Sequence, residues 1–203
     1  MTPLDPRGFW YVARASNLAK GNDAAVKAIS SYGSAKYKRY HGSVDGWGQL
    51  VAASMSQTAP PDGFSVTAAP TPAELAVNAV RDNDPATLSI GDWEYILSYR
   101  DASAANKQAA DRVWQTIEDK QKNGQVPLQI PVKIIAASTT SIRAAITDEN
   151  QAANTADLEM TLEKPLTNVP AAGSLVNVIG VLTDYRLNPF VFVMEKGRLA
   201  AEQ

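Results

Sequence analysis

At Asn123-Gly124 the apolar residues of this chain stop recurring every three or four positions and begin to recur every two. A period near 3.6 lines one face of a helix, and a period of two lines one face of a strand, so no single regular structure can serve both halves. Upstream, Ala109, Ala110, Val113, Trp114 and Ile117 predict one face of a long helix ending at Asn123-Gly124. Downstream, Leu128, Ile130, Val132 and Ile134 alternate with polar positions and Pro131, which places that residue at a sheet edge or bulge. Further strands are predicted at Ile142–Ile146, Leu158–Leu162, Val176–Leu182 and Phe190–Met194, with turns at Ser138-Thr139-Thr140 and Asn188-Pro189 and a polar loop over Asp148–Ala156. The fold class that follows is α+β, with helices packed on a small five-stranded barrel.

The first 55 residues have helical spacing throughout. Phe9, Trp10, Ala13 and Asn17 share a face, with Asp5 as the expected N-cap and Pro6 in the first turn. Gly21-Asn22 breaks the chain and Asp23 is expected to cap a second helix whose stripe is Val26, Ile29, Gly33, Tyr37 and Tyr40, closed by Gly42. Trp47, Leu50, Val51 and Met55 predict a short third helix with Asp45 near its start. Residues 56–72 contain four prolines and little periodicity, the pattern of an extended linker. Thr71-Pro72-Ala73-Glu74 then starts a helix burying Leu75, Ala76, Ala79 and Val80, and Ser89 with Asp92 starts another burying Ile90, Trp93, Ile96 and Leu97. The expected division is therefore 1–55 helical, 56–72 linker, and 73–203 helices plus barrel.

Gly8-Phe9-Trp10-Tyr11-Val12-Ala13-Arg14-Ala15, Asn22-Asp23-Ala24-Ala25 and Tyr32-Gly33-Ser34-Ala35-Lys36-Tyr37 together resemble the last tetratricopeptide repeat of a longer array. Tyr40 to Trp47 resembles the exit from such arrays in bacterial, acidobacterial-type repeat proteins. The resemblance implies a helical hairpin of solenoid type at the end of an array, a scaffold that binds protein or peptide partners. It also implies repeats upstream; an export signal among them would place the protein in the periplasm or envelope, and without one the compartment stays open. Gly173-Ser174-Leu175-Val176-Asn177-Val178-Ile179-Gly180-Val181-Leu182 resembles the glycine-anchored strand of OB-like, transfer-RNA-anticodon-binding-like domains. Gly180 would let that strand coil sharply. The usual helix between the third and fourth strands of such domains is replaced here by the loop Pro165–Ala172.

Several chemistries are excluded by residue type. The chain has no cysteine and one histidine, His41, so thiolate metal sites, disulfides, cysteine nucleophiles and multi-histidine centres have no ligands. No apolar run approaches the length of a membrane span, and Met1 to Pro6 lacks the features of a signal peptide. Neither a phosphate-cradling glycine loop nor a nucleophile elbow is present, so the Tyr32-x-x-x-Lys36 spacing has no dinucleotide fold to serve. The net charge of −2 is unevenly spread: residues 1–60 hold 7 Lys/Arg against 3 Asp/Glu, and residues 61–203 hold 12 against 18.

The basic cluster Lys36-Tyr37-Lys38-Arg39-Tyr40-His41 fits an anion or nucleic-acid patch, but cations in a last helical turn also complement the helix dipole while Tyr37 and Tyr40 pack inward. His41 is read as a helix-end residue bonding a carbonyl, ahead of a base paired with Asp45. The carboxylates Asp92, Glu94, Asp148, Glu149, Asp157 and Glu159 could pair as a hydrolase acid and base, but their positions read as solvated surface. Trp10, Trp47, Trp93 and Trp114 read as packing residues, with Trp10 the one that would face a preceding repeat and lie exposed where that repeat is missing. On the barrel, outward Ser141, Arg143, Glu159, Thr161 and Glu163 offer no aromatic ring for a base. The functional expectation is a non-enzymatic protein-interaction or scaffold module, binding a protein or peptide through Tyr11, Arg14, Lys36 and Tyr40, with no cofactor and no metal. Binding of nucleic acid or another anionic polymer by the basic helix and the barrel is the alternative, and a carboxylate-dependent hydrolase the third.

Overall fold

The computed structural model of the chain describes residues 5–200 and divides into two compact units, Met1–Pro70 and Thr71–Gln203. In the first unit, α1 (Arg7–Leu18) and α2 (Asp23–His41) form a hairpin that α3 (Trp47–Ala53) closes. The Asp5 side chain accepts from the Arg7 N–H, so it caps α1 although Pro6 is the boundary residue. At α2 the cap is Asn22, which accepts from the Ala25 N–H, and not Asp23, which is already in the first turn. Gly42, at φ +91°, ends α2 in the left-handed conformation that favours glycine.

The three helices meet at Gly33. A Cβ on that residue would lie 2.4 Å from the Trp47 ring and 2.8 Å from Val12. The contact needs a residue with no side chain, so the apolar ring of α3 reaches the α2 backbone. Phe9, Trp10, Ala13, Tyr37, Trp47 and Leu50 form the core around this point. Arg14 donates to the Ser54 and Gln57 carbonyls, and Asn17 to the Val51 carbonyl, so α1 side chains satisfy the open end of α3.

The segment expected as a free linker folds back on this core. Phe64 and Val66 pack against it, with the Phe64 ring 5.4 Å from that of Trp10. The Ala69 N–H donates to the Tyr40 carbonyl and His41 Nδ1 to the Thr67 carbonyl. The chain turns at Gly63, φ +77°, where the Phe64 N–H donates to the Pro61 carbonyl, and burial of two apolar side chains favours the docked segment over a solvated one.

In the second unit, α4 (Pro72–Asp82), α5 (Ile90–Ser98) and α6 (Ala104–Lys120) precede the barrel strands β1 (Leu128–Ala137), β2 (Ser141–Ala145), β3 (Leu158–Leu162), β4 (Leu175–Leu187) and β5 (Phe190–Leu199). Thr71 with Glu74, and Ser89 with Asp92, form capping boxes at α4 and α5. The strands close in the order β1-β2-β3-β5-β4, with β3 and β5 parallel and the other neighbours antiparallel. Pro131 lies where β1 pairs with β4 and not yet with β2, so its missing N–H costs no ladder bond. At Gly180 the β4–β5 register shifts, and a Cβ there would lie 2.7 Å from Met194 and 2.9 Å from the Glu195 carbonyl oxygen. The strand coils at the point where it has no side chain.

One apolar core joins the helices to the barrel interior. Ala76, Val80, Trp93, Ile96, Leu97, Ala110, Val113 and Ile117 bury into the same cluster as Ile130, Ile134, Ile142, Leu158, Phe192 and Met194. Leu75 and Met55, expected on buried faces, are exposed, and Trp114 is half-buried against Tyr185. The polar loop expected over Asp148–Ala156 contains a helix, α7 (Asp148–Ala153), capped by Thr147 and closed by Asn154 at φ +52°. Among the described residues no helix is long and apolar enough to cross a membrane.

Because alanine is the better helix former by about 1 kcal/mol, Gly33→Ala would stabilise α2 if the site were open. The contact with Trp47 predicts instead a net loss of up to about 2 kcal/mol, the cost of overpacking a core, about 1–3 kcal/mol, less that gain. Urea unfolding followed at the amides of residues 5–70 measures it, and a stabilised variant would contradict the packing.

Candidate functional site

On the outer side of the α1–α2 hairpin, Tyr11, Val12 and Ala15 of α1 face Ala28, Ile29 and Tyr32 of α2 across a shallow trough of about 460 Å³. Tyr11 is 52% and Tyr32 59% exposed, so two large rings stand in solvent beside aliphatic walls. The Lys36 ammonium lies over the Tyr32 ring, 5.6 Å from its centre, and supplies a cation at one edge. None of the six lining residues is acidic. The trough can take an apolar ridge and discriminate by charge at its border, but it holds no pair of groups fit for bond-making.

The four residues expected to bind a partner fall in different surroundings. Tyr11 lines the trough, and Lys36 borders it through Tyr32. Arg14 is occupied by the carbonyls at the end of α3. Tyr40 is half-buried, its ring 5.3 Å from that of Phe9. Trp10 is not an exposed face: it is 2% exposed, beneath Phe64. The residues that residue-by-residue reading missed as site residues are Ala28, Ile29 and Tyr32, whose i, i+1, i+4 spacing is visible in the sequence but whose pairing with Tyr11 depends on the hairpin.

The carboxylates expected on the surface include two that are not. Asp157 is 1% exposed and accepts from the Ile146 N–H at 2.7 Å, the Thr147 N–H and hydroxyl, and Asn150 Nδ2 at 2.8 Å. It thereby ties the end of β2 and the start of α7 to the start of β3. Asn150 Nδ2 also donates to Glu94 Oε1 at 3.1 Å, while Glu94 Oε2 is shut from solvent with no donor. Burial, and then the Asp157 charge, push the Glu94 carboxyl up to about 7. A proton on Glu94 removes the charge that burial and the neighbouring Asp157 disfavour. The sequence carried no sign of this pair, whose members lie 63 positions apart. Among the described residues no three acidic or histidine side chains gather as a metal site.

Comparison of the chain with protein-family models, curated proteins and solved structures finds no match.

The Glu94 proton links stability to pH. A folded-state value above the ordinary carboxylate value means the folded chain binds a proton the unfolded chain releases, so the contribution is complete below about pH 4.5 and is lost as pH rises through about 7. With a discount for the solvent reaching this half-buried group, raising pH from 5 to 8 is expected to cost unit two about 1–2 kcal/mol. Urea unfolding at both pH values checks it: Glu94→Gln should remove most of the difference, and an unchanged difference would contradict the assignment to Glu94.

Proposed function

We propose that the chain is a non-enzymatic protein-interaction or scaffold module, in which the α1–α2 hairpin receives a partner helix. The carrying observation is the exposed trough of Tyr11, Val12, Ala15, Ala28, Ile29 and Tyr32, apolar along its length with the Lys36 cation at its edge. Exposed apolar troughs of this kind mark places where another chain docks. Charge selects among partners: residues 1–60 carry 7 Lys/Arg against 3 Asp/Glu, and no acid lines the trough. The occupant proposed is therefore an amphipathic helix of another protein, presenting aliphatic side chains flanked by Asp or Glu. On this reading the hairpin corresponds to a terminal tetratricopeptide-type repeat, and the five-stranded barrel, in the order β1-β2-β3-β5-β4, to an OB-like domain.

A designed 16-residue helix with a leucine face and glutamate flanks, and the same helix with lysine flanks, test it by calorimetric titration of the full chain. The glutamate peptide should bind, the lysine peptide at least tenfold more weakly, and Tyr32→Ser with Tyr11→Ser should cut binding at least tenfold without altering the circular dichroism. Equal binding of both peptides, or binding indifferent to the two tyrosines, would overturn the reading.

A further inference from the structure

Outside the hairpin, a polar recess lies on the outer wall of the barrel. It encloses about 460 Å³ between β1, β2, β3 and the β4–β5 turn, within the range of small-ligand sites. Its apolar lining is Ile135, Ala156, Pro189 and Val191. Its rim carries two guanidiniums, Arg143 from β2 and Arg186 from β4, which converge on the single carboxylate of Glu159 from β3.

The contacts to Glu159 leave most of both guanidiniums unused. Arg143 reaches Glu159 Oε1 through Nε alone, at a loose 3.5 Å, and Arg186 reaches Oε2 through one Nη2. No other partner holds either guanidinium among the described residues, and their side chains are 58% and 55% exposed. Each guanidinium has five N–H donors in a planar fork. Ion pairs so exposed contribute little to stability, about 0–1 kcal/mol, so folding does not account for gathering two cations on one acid. The cluster carries one net positive charge, and no second carboxylate lines the recess.

Beside it, Lys133 Nζ donates to Asn154 Oδ1 at 2.9 Å, which leaves the Asn154 amide N–H groups as donors at the recess wall. Thr155 and Asn188 add a hydroxyl and an amide. Donor groups therefore stand beside the apolar lining of the recess.

We propose that this recess is a binding site for an organic phosphate monoester, with Glu159 holding the two arginines apart in the unliganded protein. A phosphate has three terminal oxygens and close to two charges, so it can receive both forks at once; a carboxylate offers only two oxygens, which Glu159 already supplies. The organic group lies on Ile135, Ala156, Pro189 and Val191. Without an aromatic side chain in the recess, a stacked run of bases finds no platform, and the phosphate is recognised as a terminal group. It can come from a free small molecule or from the 5′ end of a nucleic acid.

Titration of the full chain with phenyl phosphate, inorganic phosphate, and a five-nucleotide DNA with or without a 5′ phosphate tests the site, read by amide chemical shifts of residues 135, 143, 155 and 191. Phenyl phosphate should bind at least fivefold more tightly than inorganic phosphate. Arg186→Ala and Arg143→Ala should each weaken it at least tenfold, and Glu159→Gln should tighten it severalfold because the competing charge is gone. A DNA that binds through its 5′ phosphate names nucleic-acid ends as the source; a DNA that fails while phenyl phosphate binds names the free ester. The proposal is overturned if phenyl phosphate leaves those shifts unmoved, if Glu159→Gln weakens binding as the arginine variants do, or if both DNAs bind alike.

Discussion

A single buried amide decides how the second unit holds together. The β1–β4 ladder ends at the pair Leu128 and Gly180, and beyond it the edge of β4 would be bare. Gln121, just past the end of α6 and 1% exposed, fills the next place: its Nε2 donates to the Leu182 carbonyl at 3.0 Å and its Oε1 accepts from the Leu182 N–H at 2.7 Å. An unpaired buried peptide group costs about 1–3 kcal/mol, and here both groups of one residue are satisfied by one side chain. The exchange fixes the end of α6 against β4. It thereby sets where Val113 and Ile117 enter the barrel core, and α4 and α5 pack from there.

The same economy runs through the rest of the molecule. Polar groups forced inside are matched one to one: Asn106 with the Ala73 carbonyl at the start of α4, Trp93 Nε1 with the Pro85 carbonyl, Asp157 with four donors. Two buried atoms among the described residues lack a partner, Trp10 Nε1 and Glu94 Oε2, and at the second, burial raises the carboxyl to about 7. Against that background the exposed Arg143–Glu159–Arg186 cluster and the uncovered Tyr11–Tyr32 trough stand apart. One leaves donors unmatched and the other leaves apolar surface in water, and neither is required by the fold.

What was legible in the sequence was what neighbours in the chain decide. Thr71 with Glu74 and Ser89 with Asp92 lie three residues apart, so both capping boxes could be read directly, as could the change of period at Gly124. Gly33 was legible as a close contact on the α2 stripe, though not that Trp47 makes it. Contacts across the chain were not legible. The prolines of residues 56–72 predict an extended linker, but Phe64 and Val66, which dock the segment on the core of the first unit, have no periodicity to reveal them. Helix α7 has six residues and no buried side chain, so it left no apolar pattern; its signals were Thr147 ahead of two acids and Asn154 at the end. Asp157 looked like a surface residue because its partners are supplied by the β2–α7 turn, ten or so positions earlier. For the candidate sites the residue types were visible, and their grouping was not: Arg186 meets Arg143 and Glu159 only once the barrel closes.

The central claim is that α4–α6 and the barrel are one cooperative body, joined through a shared core and the Gln121–Leu182 exchange. Native-state amide hydrogen exchange of the full chain tests it most directly. The account predicts that the slowest amides of α5, α6, β1, β4 and β5, with Leu182 among them, open at one common free energy and fall together in Gln121→Ala. Helix amides that exchange at a much lower free energy while the strands stay protected would contradict it, since the helices would then be an appendage on an independent barrel.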